Sequence, residues 1–185
     1  ILGGQFLIDM LPVDDDARAA TAQANSLLST QSFNSIGNGQ TIFGNGGLNV
    51  INVTTNILLA NGGSLTLMGN GSDEFLFNIN GTMTLTGASS IIPVGVSPDQ
   101  ILWNFVGDGQ EVLFENSSGI GTILAIDRDI RLEGGSVLGS LISNGDRIKL
   151  QDGAQVIYAP IPEPTTGLLT IVALSMVLFL RRQAV

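Results

Sequence analysis

Asp127 and Asp129 flank Arg128 in a chain that contains neither histidine nor cysteine. On a regular strand, residues two apart point to the same side, so these carboxylates could form a pair of the kind that cleaves glycosidic bonds. Asp146 follows beside Arg147 and is the third candidate. A solvated ion-pair patch accounts for the same acids, given Arg128, Arg131 and Arg147 alongside. That reading is adopted here: no catalytic residue is assigned, and the chain is expected not to be an enzyme. Without His or Cys, the common nucleophile–base pairs and imidazole or thiolate metal sites are excluded. Two Gly-rich turns, "GNGSDE" (69–74) and "GDGQE" (107–111), offer oxygens to calcium. Neither has the spacing of a recognised calcium loop, so both read as plain turns. No metal and no cofactor is expected.

Composition narrows the partners. Seven Lys and Arg stand against 16 Asp and Glu, a net charge of −9. Phosphate neutralisation needs cations, so nucleic acid is not an expected partner. Hydrophobic residues make up 44% and charged ones 12%, which favours a folded chain over a disordered one.

The elements that must carry these residues are short strands. "PVDDDARAATAQANSLLST" is the one soluble-helix signal, read as a helix over 14–30. Asp14, Asp15 and Asp16 suit its first turn, and Ala17, Ala20, Ala24, Leu27 and Leu28 form one apolar face. From Ser35 to Tyr158, alternating apolar runs such as "SLTLMGNG", "ILWNF" and "RIKLQDGAQVIY" are broken by Gly and Asn. Trp103, the one tryptophan, is expected to be buried. Two segments echo themselves eighteen residues on: Leu65–Gly69 as Met83–Gly87, and "GTILAIDRDIRLEGGS" from Gly121 as "GSLISNGDRIKLQDGA" from Gly139. A common offset predicts stacked coils with parallel ladders. Leu65, Leu67, Met83, Leu85, Ile130, Leu132, Ile148 and Leu150 would then line one interior. The fold expected is all-β, a parallel β-helix (β-solenoid) with one N-terminal helix packed alongside and a C-terminal transmembrane helix. An antiparallel sandwich is the alternative. In the expected stack, Thr66 and Thr84 precede Arg131 and Lys149 in one column, and Ser64 and Thr82 precede Asp129 and Arg147 in the next. Charged side chains interrupt both, which argues against an ice-binding array there; the third side of the stack is unassigned.

The C-terminus differs in kind. Pro160, Pro162 and Pro164 make residues 159–164 an extended spacer. The run from Thr165 to Leu180 carries no charge; as a helix it would reach about 24 Å, against a bilayer core of about 30 Å. Arg181 and Arg182 follow, favouring a cytoplasmic end and an external body. Pro162-Glu163-Pro164, an apolar helix and a terminal Arg181-Arg182 pair resemble the PEP-CTERM sorting signal of Gram-negative bacteria. That resemblance implies a membrane-embedded exosortase as partner, transient inner-membrane anchoring, and delivery to the cell surface or exopolysaccharide matrix.

The body, in "NVINVTTNILLANGGSLTLMGNGSDEFLFNINGTMTLTGASSII", "ILWNF" and "GTILAIDRDIRLEGGSVLGSLISNG", resembles the choice-of-anchor A domain, related to ice-binding-like β-solenoids. The organisation expected is therefore an N-terminal segment 1–13, truncated or a first strand, then an adhesive-type domain 14–158. The spacer 159–164 and the sorting helix with its basic end, 165–185, complete it. The resemblance implies a non-enzymatic adhesive or structural role in a biofilm, with exopolysaccharide as a partner. Ice or glycan binding and a polysaccharide-degrading β-helix enzyme are the alternatives.

Overall fold

A computed structural model describes residues 11–144 and 147–158. The sorting residues Pro162, Glu163, Pro164, Arg181 and Arg182, the expected membrane helix Thr165 to Leu180, and Asp146 all lie outside the described residues.

The chain opens with helix α1 (Leu11–Ser26). Twelve strands follow: β1 (Gln31–Ile36), β2 (Gln40–Phe43), β3 (Leu48–Leu59), β4 (Ser64–Met68), β5 (Glu74–Ile79) and β6 (Thr82–Leu85), then β7 (Ser90–Val94), β8 (Ile101–Phe105), β9 (Val112–Leu124), β10 (Ile130–Ile142), β11 (Ile148–Gln151) and β12 (Gln155–Ile157). A 3-10 turn at Pro98–Gln100 leads into β8. Alternating Val, Ile, Leu and Phe favour these strands, and Asn-Gly and Gly-Gly pairs end them.

Every strand pair is parallel, which removes the antiparallel sandwich. The expected parallel β-helix of uniform coils is also not what forms. β3 pairs with both β5 and β6, β5 with β8, and β8 and β6 both with β9, so the ladder closes as a five-strand parallel ring β3–β5–β8–β9–β6, with the other strands outside it. Register explains the error. The eighteen-residue offset does pair Ile130 with Ile148 and Val112 with Ile130. Leu65, however, lies beside Ile91, and Met83 beside Ile57. The echo between 65–69 and 83–87 reflects similar strand-and-turn composition in two separate ladders. Among the described residues no helix is long and apolar enough to cross a membrane; the expected transmembrane helix, Thr165 to Leu180, lies outside them.

The ring and the strands outside it together enclose the core. Leu65, Leu67, Met83, Leu85, Ile130 and Leu132 are buried in one cluster with Phe75, Phe77, Phe105 and Phe114. Trp103 lies among them, its ring stacked on Phe77 at 4.1 Å between centroids and 18° between planes. Its indole N–H donates to the Ile120 carbonyl at 2.7 Å. Ile148 and Leu150 were expected inside but are 44% and 50% exposed, because among the described residues β11 pairs with β10 alone.

The helix runs earlier than 14–30, and its inward face is Ala17, Thr21 and Ala24; Ala20 is exposed, and Leu27 and Leu28 lie beyond its end. It packs on β3, β5 and β8, where Ala24 meets Val50, Leu76 and Leu102. A column of asparagines fixes it. Asn52, Asn78 and Asn104 are in register across these strands. The Asn104 amide donates to Asn78 Oδ1 (2.7 Å) and to the Thr21 carbonyl (3.3 Å), and Asn78 donates to the Ala24 carbonyl (2.9 Å). One backbone approach is too close for any side chain: a Cβ on Gly81 would stand 1.2 Å from the Thr55 carbonyl oxygen.

Candidate adsorption face

Three faces surround the core, and they differ sharply in chemistry. The first is sealed by α1. The second, formed by β6, the start of β9, the start of β10 and β11, is charged. Thr84, Leu113, Arg131 and Lys149 form one of its columns, and Glu115, Glu133 and Gln151 another.

The third is formed by β2, β4, β7, the Ser117–Ile120 stretch of β9, the Gly135–Leu138 stretch of β10, and β12. Across six parallel strands it rises about 24 Å at the usual strand spacing. None of these strand segments holds an Asp, Glu, Lys or Arg. Inward residues Ile42, Leu65, Leu67, Ile91 and Val137 are buried, so their alternates point out. Ser64, Ser90, Ser118, Ser136 and Gln155 form one continuous outward column. Thr41, Thr66 and Ile92 form a second; Phe43 (60% exposed), Met68 and Val94 form a third. Hydroxyl and methyl groups thus alternate in a grid set by the backbone, about 4.8 Å across strands and about 6.7 Å along them. A charge-free face with exposed apolar side chains, on a chain of net charge −9, is a recognised sign of a binding surface.

This geometry corrects the expected columns. Thr66 and Thr84 do not share a ladder: Thr66 stands with Thr41 and Ile92, Thr84 with Leu58 and Leu113. Arg131 and Lys149 therefore interrupt the second face, and the third carries neither. The signal that could have found it is the run of charge-free strand sequences "QTIF", "SLTLM", "SIIPV" and "QVI".

The acidic candidates are brought together in part. Asp127 and Asp129 line one groove on the second face, beside Arg128. Asp127 Oδ1 is held by Arg18 of the helix at 2.9 Å, and Asp129 Oδ2 lies 3.7 Å from Arg147. Among the described residues no cluster of three or more acids could hold a metal ion.

In the first Gly-rich turn the Asp73 carboxylate is already satisfied by donors. Its Oδ1 accepts from the Gly46 amide (2.7 Å) and Asn49 Nδ2 (3.1 Å), and its Oδ2 from the Asn70 amide (2.9 Å). These N–H groups favour an anion, so the turn is built around the carboxylate itself. The Asn70 amide, first among these donors, holds the Asp73 pKa below its ordinary value, against the opposing effect of burial. A folded pKa below the unfolded one gives stability above the unfolded pKa, lost as pH falls through the folded value. Asp73→Asn is therefore expected to lower the urea midpoint at pH 7. Its deficit should begin to shrink below about pH 4, where the unfolded-state carboxyl protonates, and vanish once the folded carboxyl, held lower, protonates as well. A deficit that stays constant down to pH 2 would refute this account.

This closed parallel ladder with one helix across a face is similar in fold to solved ice-binding proteins. One from the Antarctic ascomycete Antarctomyces psychrotrophicus superposes with a TM-score of 0.65 at 21% identity, over 81% of this chain and 72% of that one. One from an Antarctic Flavobacteriaceae bacterium gives 0.69 at 23%, over 82% of this chain and 35% of that one. The ice-binding protein of an Arctic yeast gives 0.67 at 20%, over 84% and 64%. This chain thus spans about a third of the bacterial protein and under two thirds of the yeast one, and at these identities the likeness concerns the fold. No match among curated proteins is found. The chain belongs to the ice-binding-like adhesive domain family, whose model matches residues 5–147.

Proposed function

We infer that this protein is a non-enzymatic surface adhesive that adsorbs to ice, or to a solid of similar order, through the face built on β2, β4, β7 and β12. The observation that carries this reading is the grid of Ser, Thr and apolar side chains from which every charge is absent. Charged groups hold liquid water strongly, whereas methyls and uncharged hydroxyls on a rigid ladder let water order against them. The family and the names of the structural neighbours support the same reading. The second part of the inference is delivery. The Pro162-Glu163-Pro164 box, the apolar run Thr165 to Leu180 and Arg181-Arg182 would address the chain to an exosortase. After transient anchoring in the inner membrane it would reach the surface or the exopolysaccharide matrix.

The test measures thermal hysteresis and uptake into a growing ice hemisphere for the purified chain, with cells of the native host fractionated in parallel. Wild type is expected to enter the ice and shape crystals. Thr66→Arg, in the middle of the uncharged face, should lose this activity, while Gln151→Arg on the charged face should keep it. The protein should be recovered from membrane and surface fractions. Equal activity of the two variants, or none in wild type, would sink the adsorption face; the whole chain in the cytosol would sink the delivery route.

A further inference from the structure

A groove lies on the charged face, apart from the uncharged grid. Two contiguous cavities of about 500 Å³ and about 280 Å³ share Thr82, Gly109, Gln110 and Arg128, forming one elongated groove. It exists because β6 pairs with β9 only at Thr84 and Leu85. The loops before β9 and β10, at the starts of these parallel neighbours, supply Gln110, Glu111, Asp127 and Asp129 to its lining. Its walls carry Thr82, Thr84, Gln110, Asp127 and Asp129, with Leu113 as the apolar element.

The carboxylates here are pinned. Asp127 spends one oxygen on Arg18, Asp129 has one near Arg147, and Glu111 faces Arg131 at 3.4 Å. Each acid is thereby oriented and charge-compensated. Asp129 Oδ1 is buried without a hydrogen-bond partner, whereas the side chain as a whole is 24% exposed, so what it offers the groove is Oδ2 beside Arg147. Arg128 offers little to a ligand, since its donors go to backbone carbonyls beneath the groove. A peptide would need a free strand edge, and β6 is paired on both edges, with β3 and β9.

We propose that this groove binds a neutral polysaccharide chain, its vicinal hydroxyls donating to Asp129 and Asp127 and bonding Thr82, Thr84 and Gln110, its C–H face resting on Leu113. The ligand is neutral because each acid of the groove is matched by an arginine, so neither an anion nor a cation finds an uncompensated partner there. It is an extended polymer because the groove continues past Thr82 toward Thr55 and Asn56. No aromatic ring lines the groove, so each site is weak and adhesion comes from many copies along one polymer. The protein would thus hold a solid on one face and a matrix polymer on another. This site does not depend on the adsorption reading.

The test titrates the full chain by calorimetry with cellotetraose, maltotetraose and mannotetraose, and separately with tetragalacturonate. At least one neutral tetramer is expected to bind, and the uronate at least about tenfold more weakly. Thr84→Trp, which fills the groove, and Asp129→Ala, which removes that carboxylate, should each weaken binding by about tenfold or more. Ice uptake and circular dichroism are followed on the same samples and should not change; if one variant misfolds, the other decides. The proposal is overturned if no neutral tetramer binds, if the uronate binds as well, or if the folded variants bind like wild type. Loss of ice uptake in wild type would leave this result standing, so the two sites fail separately.

Discussion

Trp103→Ala is expected to cost about 3–5 kcal/mol, the usual range for removing a large aromatic from a packed core. The indole is wholly buried inside the ring, lies flat against Phe77, and donates to the Ile120 carbonyl. Removing it leaves a cavity facing Phe77 and deprives a buried carbonyl of its partner. Against a typical total of about 5–15 kcal/mol, such a loss is a large fraction of stability. Trp103→Phe keeps most of the volume and the aromatic contact but not the N–H, so it should cost clearly less, about 1–3 kcal/mol. Urea unfolding followed by circular dichroism measures both, since the single tryptophan that fluorescence would use is the residue removed. A cost below about 1 kcal/mol for the alanine variant would mean that the core closes over the gap, and the ring would not be the rigid frame described here.

Arg128→Leu should cost a comparable about 3–5 kcal/mol, for an opposite reason. The guanidinium is buried, yet its nitrogens reach the carbonyls of Gly107 (2.9 Å), Asn80 (3.1 Å), Val106 (2.8 Å) and Gly81, and its carbon sits 5.5 Å from the centre of the Phe105 ring. Burial lowers its pKa, which Asp108 partly counters, but a guanidinium stays protonated in proteins. One side chain thus satisfies carbonyls from two successive loops where neither has strand partners. Leucine fits the volume and leaves those carbonyls dry. Arg128→Lys keeps the charge but offers a point donor in place of a planar fork, so it should recover less than half of the loss. A leucine variant with an unchanged urea midpoint would show that water reaches the loops.

Both residues illustrate what the sequence displayed and what it hid. Trp103 reads as buried from "ILWNF" alone, because apolar alternation sets its direction. Arg128 reads as a surface cation, because nothing local reveals that carbonyls about twenty and forty-eight residues earlier converge on it. All-β character, the single helix and six of the eight interior residues follow from periodicity. Ladder partners do not. Parallel pairing joins segments whose separation depends on loop length: Asn78 and Asn104 are 26 residues apart, while Ile130 pairs with Ile148 eighteen on. A single assumed offset therefore mixed two faces and hid the uncharged one. Equal spacing of Asn52, Asn78 and Asn104, each closing a run of apolar residues, was the visible clue to the longer offset. Asp127 and Asp129 were found from sequence, but their groove depends on the shortness of β6, which only three-dimensional packing reveals.

Under the proposed adsorption, confining ionic groups to the flanks would govern how molecules crowd on a solid. Copies lying side by side would meet flank to flank, each carrying a net negative charge. At low ionic strength that repulsion reaches about 30 Å and keeps neighbours apart; in brine it shrinks to a few ångströms. The same coat would therefore be sparse in fresh water and dense in freezing sea water, where rejected salt concentrates.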